Sequence, residues 1–186
     1  MSDTMSLTPE LEGLVETIRQ RTENYYAAHG LCCSEAIIFV LNRGLNGGLS
    51  DDLARRLGAG FCGGMGGGDG VCGALSGAIT ALGLILGPGQ RQGLAKSKLR
   101  QAAKRLHDSF HKALGSTVCH ELTAPHAESR RARLKSCQAI TGLGAELCIR
   151  LILELRPKLA LKADLNFLNR RDTKAQAVIQ KISAYF

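Results

Sequence analysis

Residues 57–77 read LGAGFCGGMGGGDGVCGALSG, and this stretch separates what can pack as helix from what cannot. Between Gly58 and Gly73, nine of sixteen residues are glycine, with Cys62 and Cys72 among them. Each glycine inside regular structure costs roughly 0.5–1 kcal/mol against alanine, so neither helix nor strand is expected there. Glycine suits backbone that must take φ > 0 or that something must approach closely, and the two cysteines place sulfur at that approach. Immediately afterwards residues 73–87, GALSGAITALGLILG, are uncharged and apolar, which predicts a buried helix. Working outward, the other periodic segments also have helical spacing and none alternates as a strand would. The expected fold is all-α: a single-domain bundle of about six to seven helices, with a glycine-rich loop before a buried central helix.

Upstream, Thr8-Pro9 announces a helix, with Leu11, Leu14, Ile18 and Tyr25 on its inner face and Gly30 as its stop. A second helix begins at Cys32-Cys33. A helix N-terminus favours thiolate, so these thiols are expected to have lowered pKa values, although only one of two neighbours can face a given site. Ser50 caps a third helix, DDLARRL. Downstream of the glycine loop, Cys72 opens the apolar helix, which ends at Gly87-Pro88-Gly89. A long basic helix is expected over 90–114, then Cys119 at a turn or helix start. Another helix is expected over 127–155, carrying Cys137 and Cys148. Eleven residues bring those two back to one face but about 16 Å apart along the axis, so at most one belongs to a common site. Asp172 caps a short terminal helix whose Ala175, Val178, Ile179 and Ile182 face inward. The chain thus divides into an N-terminal tail (1–9), a helical domain (10–155) and a basic C-terminal extension with a short terminal helix (156–186).

Composition limits the functions. At 186 residues and 45% apolar, the chain can bury one core, and its 22% charged residues exclude wholesale disorder. Aromatics are 4% with no tryptophan, which removes the stacking residues of single-strand binding, and no nucleic-acid partner is expected. Residues 1–90 carry five Lys/Arg and nine Asp/Glu, whereas 91–186 carry nineteen and seven. The basic half reads as solvated helix faces that can also dock an acidic redox partner protein; a homodimer is the other assembly considered. No secretory signal precedes the first helix, and the fifteen-residue apolar run falls short of the about 20 needed to span a bilayer. A cytoplasmic location follows as the expectation, and there seven cysteines point to metal, cluster or reversible redox chemistry rather than a disulfide framework.

Familiar motifs are weak. Gly58-Ala59-Gly60-Phe61-Cys62-Gly63 satisfies G-x-G-x-x-G, but a helix precedes it and no acid follows at the required distance, so no dinucleotide site is read from it. There is no C-x-x-C, no C-x-x-C-H and no zinc-knuckle spacing. His107 and His111 share a helix face without a third ligand and read as a solvated pair. His120 stands beside Cys119 and can hydrogen-bond or activate its thiol. Separated helix starts or turns each carry a thiol, an arrangement that can build a tetrahedral thiolate site.

With the segment Cys72-Gly73-Ala74-Leu75-Ser76-Gly77, the chain resembles the C-GCAxxG-C-C family of redox-active proteins. The resemblance runs through Gly30 to Ile37, Gly60 to Gly66, the C-G-A-x-x-G element, Gly115 to Cys119 and Leu134 to Gln138, about residues 10–155. It implies that the family's four cysteines are Cys33, Cys72, Cys119 and Cys137, with Cys148 as the alternative to Cys137. Cys32, Cys62 and Cys148 then read as extras, Cys62 standing where similar sequences commonly have glycine. A related domain accompanies haem and an iron–sulfur centre in split-Soret cytochromes c; without C-x-x-C-H, only the iron–sulfur half of that likeness transfers. The implied cofactor is an iron–sulfur cluster, [2Fe–2S] first, on the four cysteines, with Gly64, Gly66 and Gly73 letting backbone N–H groups close on sulfur. A metal-free thiol–disulfide protein and a zinc-stabilised binding module are the alternatives.

Overall fold

In the computed structural model, which describes residues 7–173 and 175, the order is α1 (Pro9–His29), α2 (Cys33–Gly44), α3 (Asp51–Gly58), α4 (Cys62–Met65, a single turn whose Gly63 and Gly64 are not in helical conformation), α5 (Gly73–Leu86), α6 (Lys96–Leu114), α7 (Cys119–Thr123), α8 (Arg130–Leu155) and α9 (Leu165–Leu168). Short 3-10 turns at Ala59–Phe61, Ala124–His126 and Pro157–Lys162 complete the described helices. Six of the α-helices have eight residues or more, and no strand occurs among the described residues, in line with the all-α expectation.

The centre of the bundle is α2. Ala36 through Leu41 are all at 0% exposure, six consecutive residues, so this helix is enclosed on every side. A helix in that position needs neighbours all round, and α1, α3, α5, α8 and α9 supply them. The apolar α5 is buried as its composition predicts, with Ala74, Leu75, Ala78, Ala81 and Leu82 inaccessible. It crosses α2 at Gly77, where a Cβ would lie 2.7 Å from the Ser34 Cα, so only glycine permits this separation. Of the described helices, α8 alone is long and apolar enough to cross a membrane by length and composition. Its most apolar window is 56% buried within the protein, against α1, α2 and α5, as in a core helix.

Helix boundaries follow local chemistry. Gly30 and Gly115 end α1 and α6 in the left-handed conformation, and the Ser50 hydroxyl accepts the Leu53 N–H at 3.3 Å to start α3. Two starts differ from expectation. The basic helix begins at Lys96 rather than near Gln90, because Gly87 to Gly93 turn back on themselves and Leu94 N–H bonds to Leu86 O at 2.7 Å. The last long helix begins at Arg130, after a 3-10 turn at Ala124–His126, where the Ser129 hydroxyl caps the Ala132 N–H at 3.2 Å.

Residues 157–172 pack back on the bundle. Leu159, Phe167 and Leu168 are buried, and the Phe167 ring lies 5.8 Å from Tyr25 and 6.0 Å from Phe39. Asp172 is 5% exposed. Its carboxylate meets the Arg21 guanidinium at 3.0 Å, His29 Nε2 at 3.0 Å and Arg170 Nε at 2.7 Å. Of the terminal helix expected beyond it, Ala175 is exposed rather than facing inward, and Val178, Ile179 and Ile182 lie outside the described residues.

Burial alone would raise the Asp172 carboxyl, but Arg21, the His29 hydrogen bond and Arg170 together hold it below its ordinary range. Burial lowers the His29 pKa in spite of that carboxylate. Asp172→Ala leaves Arg21 buried without its counter-ion and is expected to cost about 3–5 kcal/mol, read as a lower urea midpoint at unchanged slope. The pH dependence of the wild type has a defined sign, because both groups bind protons less readily folded than unfolded. The His29 contribution is full above about pH 6.5 and the Asp172 contribution above about pH 3.9; each is lost as pH falls through the lower folded value. Urea midpoints that rise on acidification from pH 7 would contradict this assignment.

Candidate functional site

Two backbone hydrogen bonds organise the site. Val71 and Val118 form an isolated antiparallel bridge. Cys72 N–H donates to Thr117 O at 2.8 Å, and Cys119 N–H donates to Gly70 O at 3.0 Å. The end of the glycine loop is thereby pinned to the segment before α7, and the two cysteines that follow the bridge open α5 and α7 side by side. Their thiols influence each other, raising the pKa of Cys72 and lowering that of Cys119. Cys33, the first residue of α2, and Cys137, on the N-terminal half of α8, line the same cavity of about 580 Å³ as Cys72 and Cys119. The four cysteines named from the sequence are thus brought to one place.

Glycine sets the shape of the wall. Gly63 through Gly67 all have positive φ (67°, 75°, 61°, 73° and 89°), so the backbone makes a left-handed turn that L-residues resist by roughly 1–2 kcal/mol each. Met65 is the one side chain within it. Gly64 and Gly73 stand directly behind two of the thiols: a Cβ on Gly64 would lie 2.7 Å from Cys119 Cβ, and one on Gly73 would lie 2.5 Å from Cys33 Sγ. Gly66 is on the outer surface with its N–H donating to Cys62 O at 2.9 Å. The glycines that line the cavity itself are Gly30, Gly63 and Gly67.

The thiols are not electrostatically equivalent. Burial pushes Cys33 up to about 11. The helix-start argument therefore predicts the wrong direction for this residue, because desolvation of a nearly enclosed sulfur outweighs the N–H groups of the first turn. Cys72 is raised by its hydrogen bond to Cys119 and by burial, and so keeps its proton. Cys119 is lowered to about 7, first by the Cys72 S–H it accepts, then by Arg133 and His120, with burial and Asp69 opposing. Cys137 is raised by burial although the Tyr26 hydroxyl bonds to it. Of the four, Cys119 is the thiol most readily ionised, and the other three are shifted towards the protonated form.

The remaining candidates fall elsewhere. Cys148 is wholly buried, donating to Ala78 O at 3.3 Å across the packing of α8 on α5, so Cys137 and not Cys148 faces the cavity. His107 is on the surface beside Asp108 at 3.2 Å. His120 does line the cavity, 3.8 Å from Asp69. Tyr26 and Arg133 were not identified from the sequence: Tyr26 is masked by Tyr25 on the core face of α1, and Arg133 is one of many basic residues. Cys32 and Cys62 are joined by a disulfide with Cα atoms 5.9 Å apart, which the reading of both as extras did not anticipate. Glu35 lies within 4.8 Å of both sulfurs. Bonded sulfurs offer no thiolate, and the Glu35 carboxylate accepts the Cys32 N–H at 2.8 Å, so this trio is not a metal set in the oxidised chain.

The influence of Cys72 on Cys119 has a direct test. Alkylation of Cys119, followed by peptide mass mapping against pH, is expected to show its inflection near pH 7. In Cys72→Ala the thiolate loses its donor, and the inflection should move upward. An inflection unchanged by that substitution would show that Cys72 does not stabilise the thiolate.

Comparison with known proteins agrees with the cysteine pattern. Residues 31–151 match the family model described as "Putative redox-active protein (C_GCAxxG_C_C)". No curated protein and no solved structure matches the chain. The match covers well over half of the sequence, and the chain belongs to the C_GCAxxG_C_C family of redox-active proteins.

Proposed function

We propose that the protein transfers electrons or senses redox state through an iron–sulfur cluster held by Cys33, Cys72, Cys119 and Cys137. The observation that carries this reading is the convergence of four thiols, from the starts of α2, α5 and α7 and from α8, on one cavity. A dithiol couple needs two cysteines, and the other two would then stand beside it without a role. The donor set fits a thiolate-ligated cluster. A single tetrahedral zinc with bonds of about 2.3 Å needs all its sulfurs within about 4 Å of one another. Among the described residues, no three of the cavity thiols lie within 4.8 Å of one another, which favours a ligand set spread over more than one metal atom. When bound, such a cluster supplies one-electron transfer.

The chain's own residues prepare the cavity for it. Burial keeps Cys33, Cys72 and Cys137 protonated in the apoprotein, so metal binding releases protons and its affinity rises with pH. Tyr26 orients Cys137, and Arg133 and His120 place positive charge beside Cys119. Arg130, Arg131, Arg133 and Lys135 are exposed at the start of α8, adjoining the cavity through Arg133, and suit an acidic redox partner. A second reading, metal-free thiol–disulfide exchange, is favoured by the neighbouring Cys72–Cys119 pair with its one lowered pKa.

Anaerobic reconstitution with iron and sulfide decides between them. The expected result is bound iron and sulfide in fixed proportion with visible absorption, lost in Cys119→Ala and in Cys137→Ala and retained in Cys148→Ala. A colourless, metal-free product in which the four cavity thiols stay titratable would overturn the cluster reading. Stoichiometric zinc in place of iron would do the same.

A further inference from the structure

The Cys32–Cys62 disulfide lies outside the four-thiol set, and its surroundings are those of an exchangeable bond rather than a buried staple. Neither cysteine is buried, in contrast to Cys148. Cys62 is followed by Gly63, which is exposed, and whose Cβ position has nothing within 4 Å, so solvent and a reactant reach the bond from that side. Cys32 is the N-cap of α2: its sulfur accepts the Glu35 N–H, while the Glu35 carboxylate accepts the Cys32 N–H at 2.8 Å. The Ser34 hydroxyl sits 3.3 Å from Cys32 Sγ and 3.8 Å from Cys62 Sγ while donating to Gly58 O at 2.7 Å, which leaves its lone pairs for a thiol proton. Both sulfurs therefore have polar partners waiting in the reduced state, one a backbone N–H and one a hydroxyl oxygen.

We infer that Cys32–Cys62 is a second redox site, a two-electron dithiol–disulfide couple whose reductant is an external dithiol. The thiolate of that dithiol attacks Cys62 Sγ from the open side of Gly63. The Cys32–Cys62 bond breaks, and Cys32 leaves with the electron pair onto the Glu35 N–H. The second thiol of the reductant then attacks the mixed disulfide. The external dithiol departs oxidised to a disulfide, and Cys62 is released as thiolate. The two protons given up by the dithiol return through solvent to Cys32 and Cys62. Attack at Cys62 follows from placement: a leaving sulfur gains most from hydrogen-bond donation, and the helix-start N–H points at Cys32.

The couple adjoins the cavity, which Cys32 also lines, but neither of its sulfurs belongs to the four-thiol set. Cys32 precedes Cys33 in sequence, and Gly63 follows Cys62 into the cavity wall, so the bond ties α2 to the glycine turn along the rim. The inference stands whether or not the cavity holds a cluster, because the sulfurs concerned are different ones.

The test counts thiols in the metal-free full-length chain. Of seven cysteines, five are free in the oxidised form, so denatured, unreduced protein should titrate five thiols, with a non-reducing peptide map linking Cys32 to Cys62. Native protein incubated with dithiothreitol and then freed of it should titrate seven, and oxidised dithiothreitol should return it to five. Cys32→Ser, challenged with a monothiol disulfide probe, should trap a mixed disulfide at Cys62. Cys62→Ser should show no two-thiol change in either direction. The inference is overturned by seven thiols before reduction, by a linkage between other cysteines, or by a bond that reduces only after the chain is unfolded. Circular dichroism of both variants separates loss of the couple from loss of the fold. Failure here with successful iron and sulfide loading, or the reverse, distinguishes this inference from the cluster reading.

Discussion

Two hydrogen bonds hold the site together: Cys72 N–H to Thr117 O and Cys119 N–H to Gly70 O. They close a loop of more than forty residues, from the end of the glycine turn through α5 and α6 and back. That closure is what sets two helix starts side by side, and each begins with a cysteine. The rest of the bundle serves it. The enclosed α2 delivers Cys33 to the same region, and α8, packed along α1 and α5, brings Cys137 to the facing wall. A helical protein seldom needs a β-type contact, and among the described residues it is confined to a single pair, next to Cys72 and Cys119.

Desolvation at Cys33 and Cys137 and the mutual influence of Cys72 and Cys119, not helix polarity, decide the ionisation of these thiols. Cys33 and Cys119 both occupy first helical positions, yet the first is raised and the second lowered. The difference is enclosure and company. Cys33 is shut in behind Gly73, whereas Cys119 is half-buried and is held down by Cys72, Arg133 and His120. Three of the four thiols are shifted towards the protonated form, so a cation that coordinates all four displaces protons rather than meeting preformed charge.

Much of this was legible in the sequence, and the parts that were not have identifiable reasons. Gly30, Ser50 and Gly115 set helix ends by local chemistry, and the structure agrees at each. The apolar run 73–87 could only be a buried helix, but the deeper burial of α2 was hidden because AIIFVL is too short to reveal how many neighbours surround it. The choice of Cys137 over Cys148 came from a resemblance, since both lie on one helix face; the tertiary packing of α8 settles which end of that face meets the cavity. Tyr26, the Asp172 network and the Cys32–Cys62 bond depend on segments far apart in the chain, and no spacing rule connects them. The glycine loop was read as room for close approach. That holds for Gly64 and Gly73, whereas the run from Gly63 to Gly67 answers to handedness.

That handedness has a stereochemical consequence. A backbone with five successive positive φ values traces the mirror image of an ordinary right-handed turn, the conformation that D-amino acids prefer. Ribosomal synthesis offers no D-residues, so the achiral one is the only letter that writes this shape cheaply. In a semisynthetic chain the turn becomes the place where inverted residues belong, and D-alanine there would restrict the unfolded ensemble while matching the folded backbone. Glycine at these positions is the genetic code's nearest approximation to the opposite enantiomer.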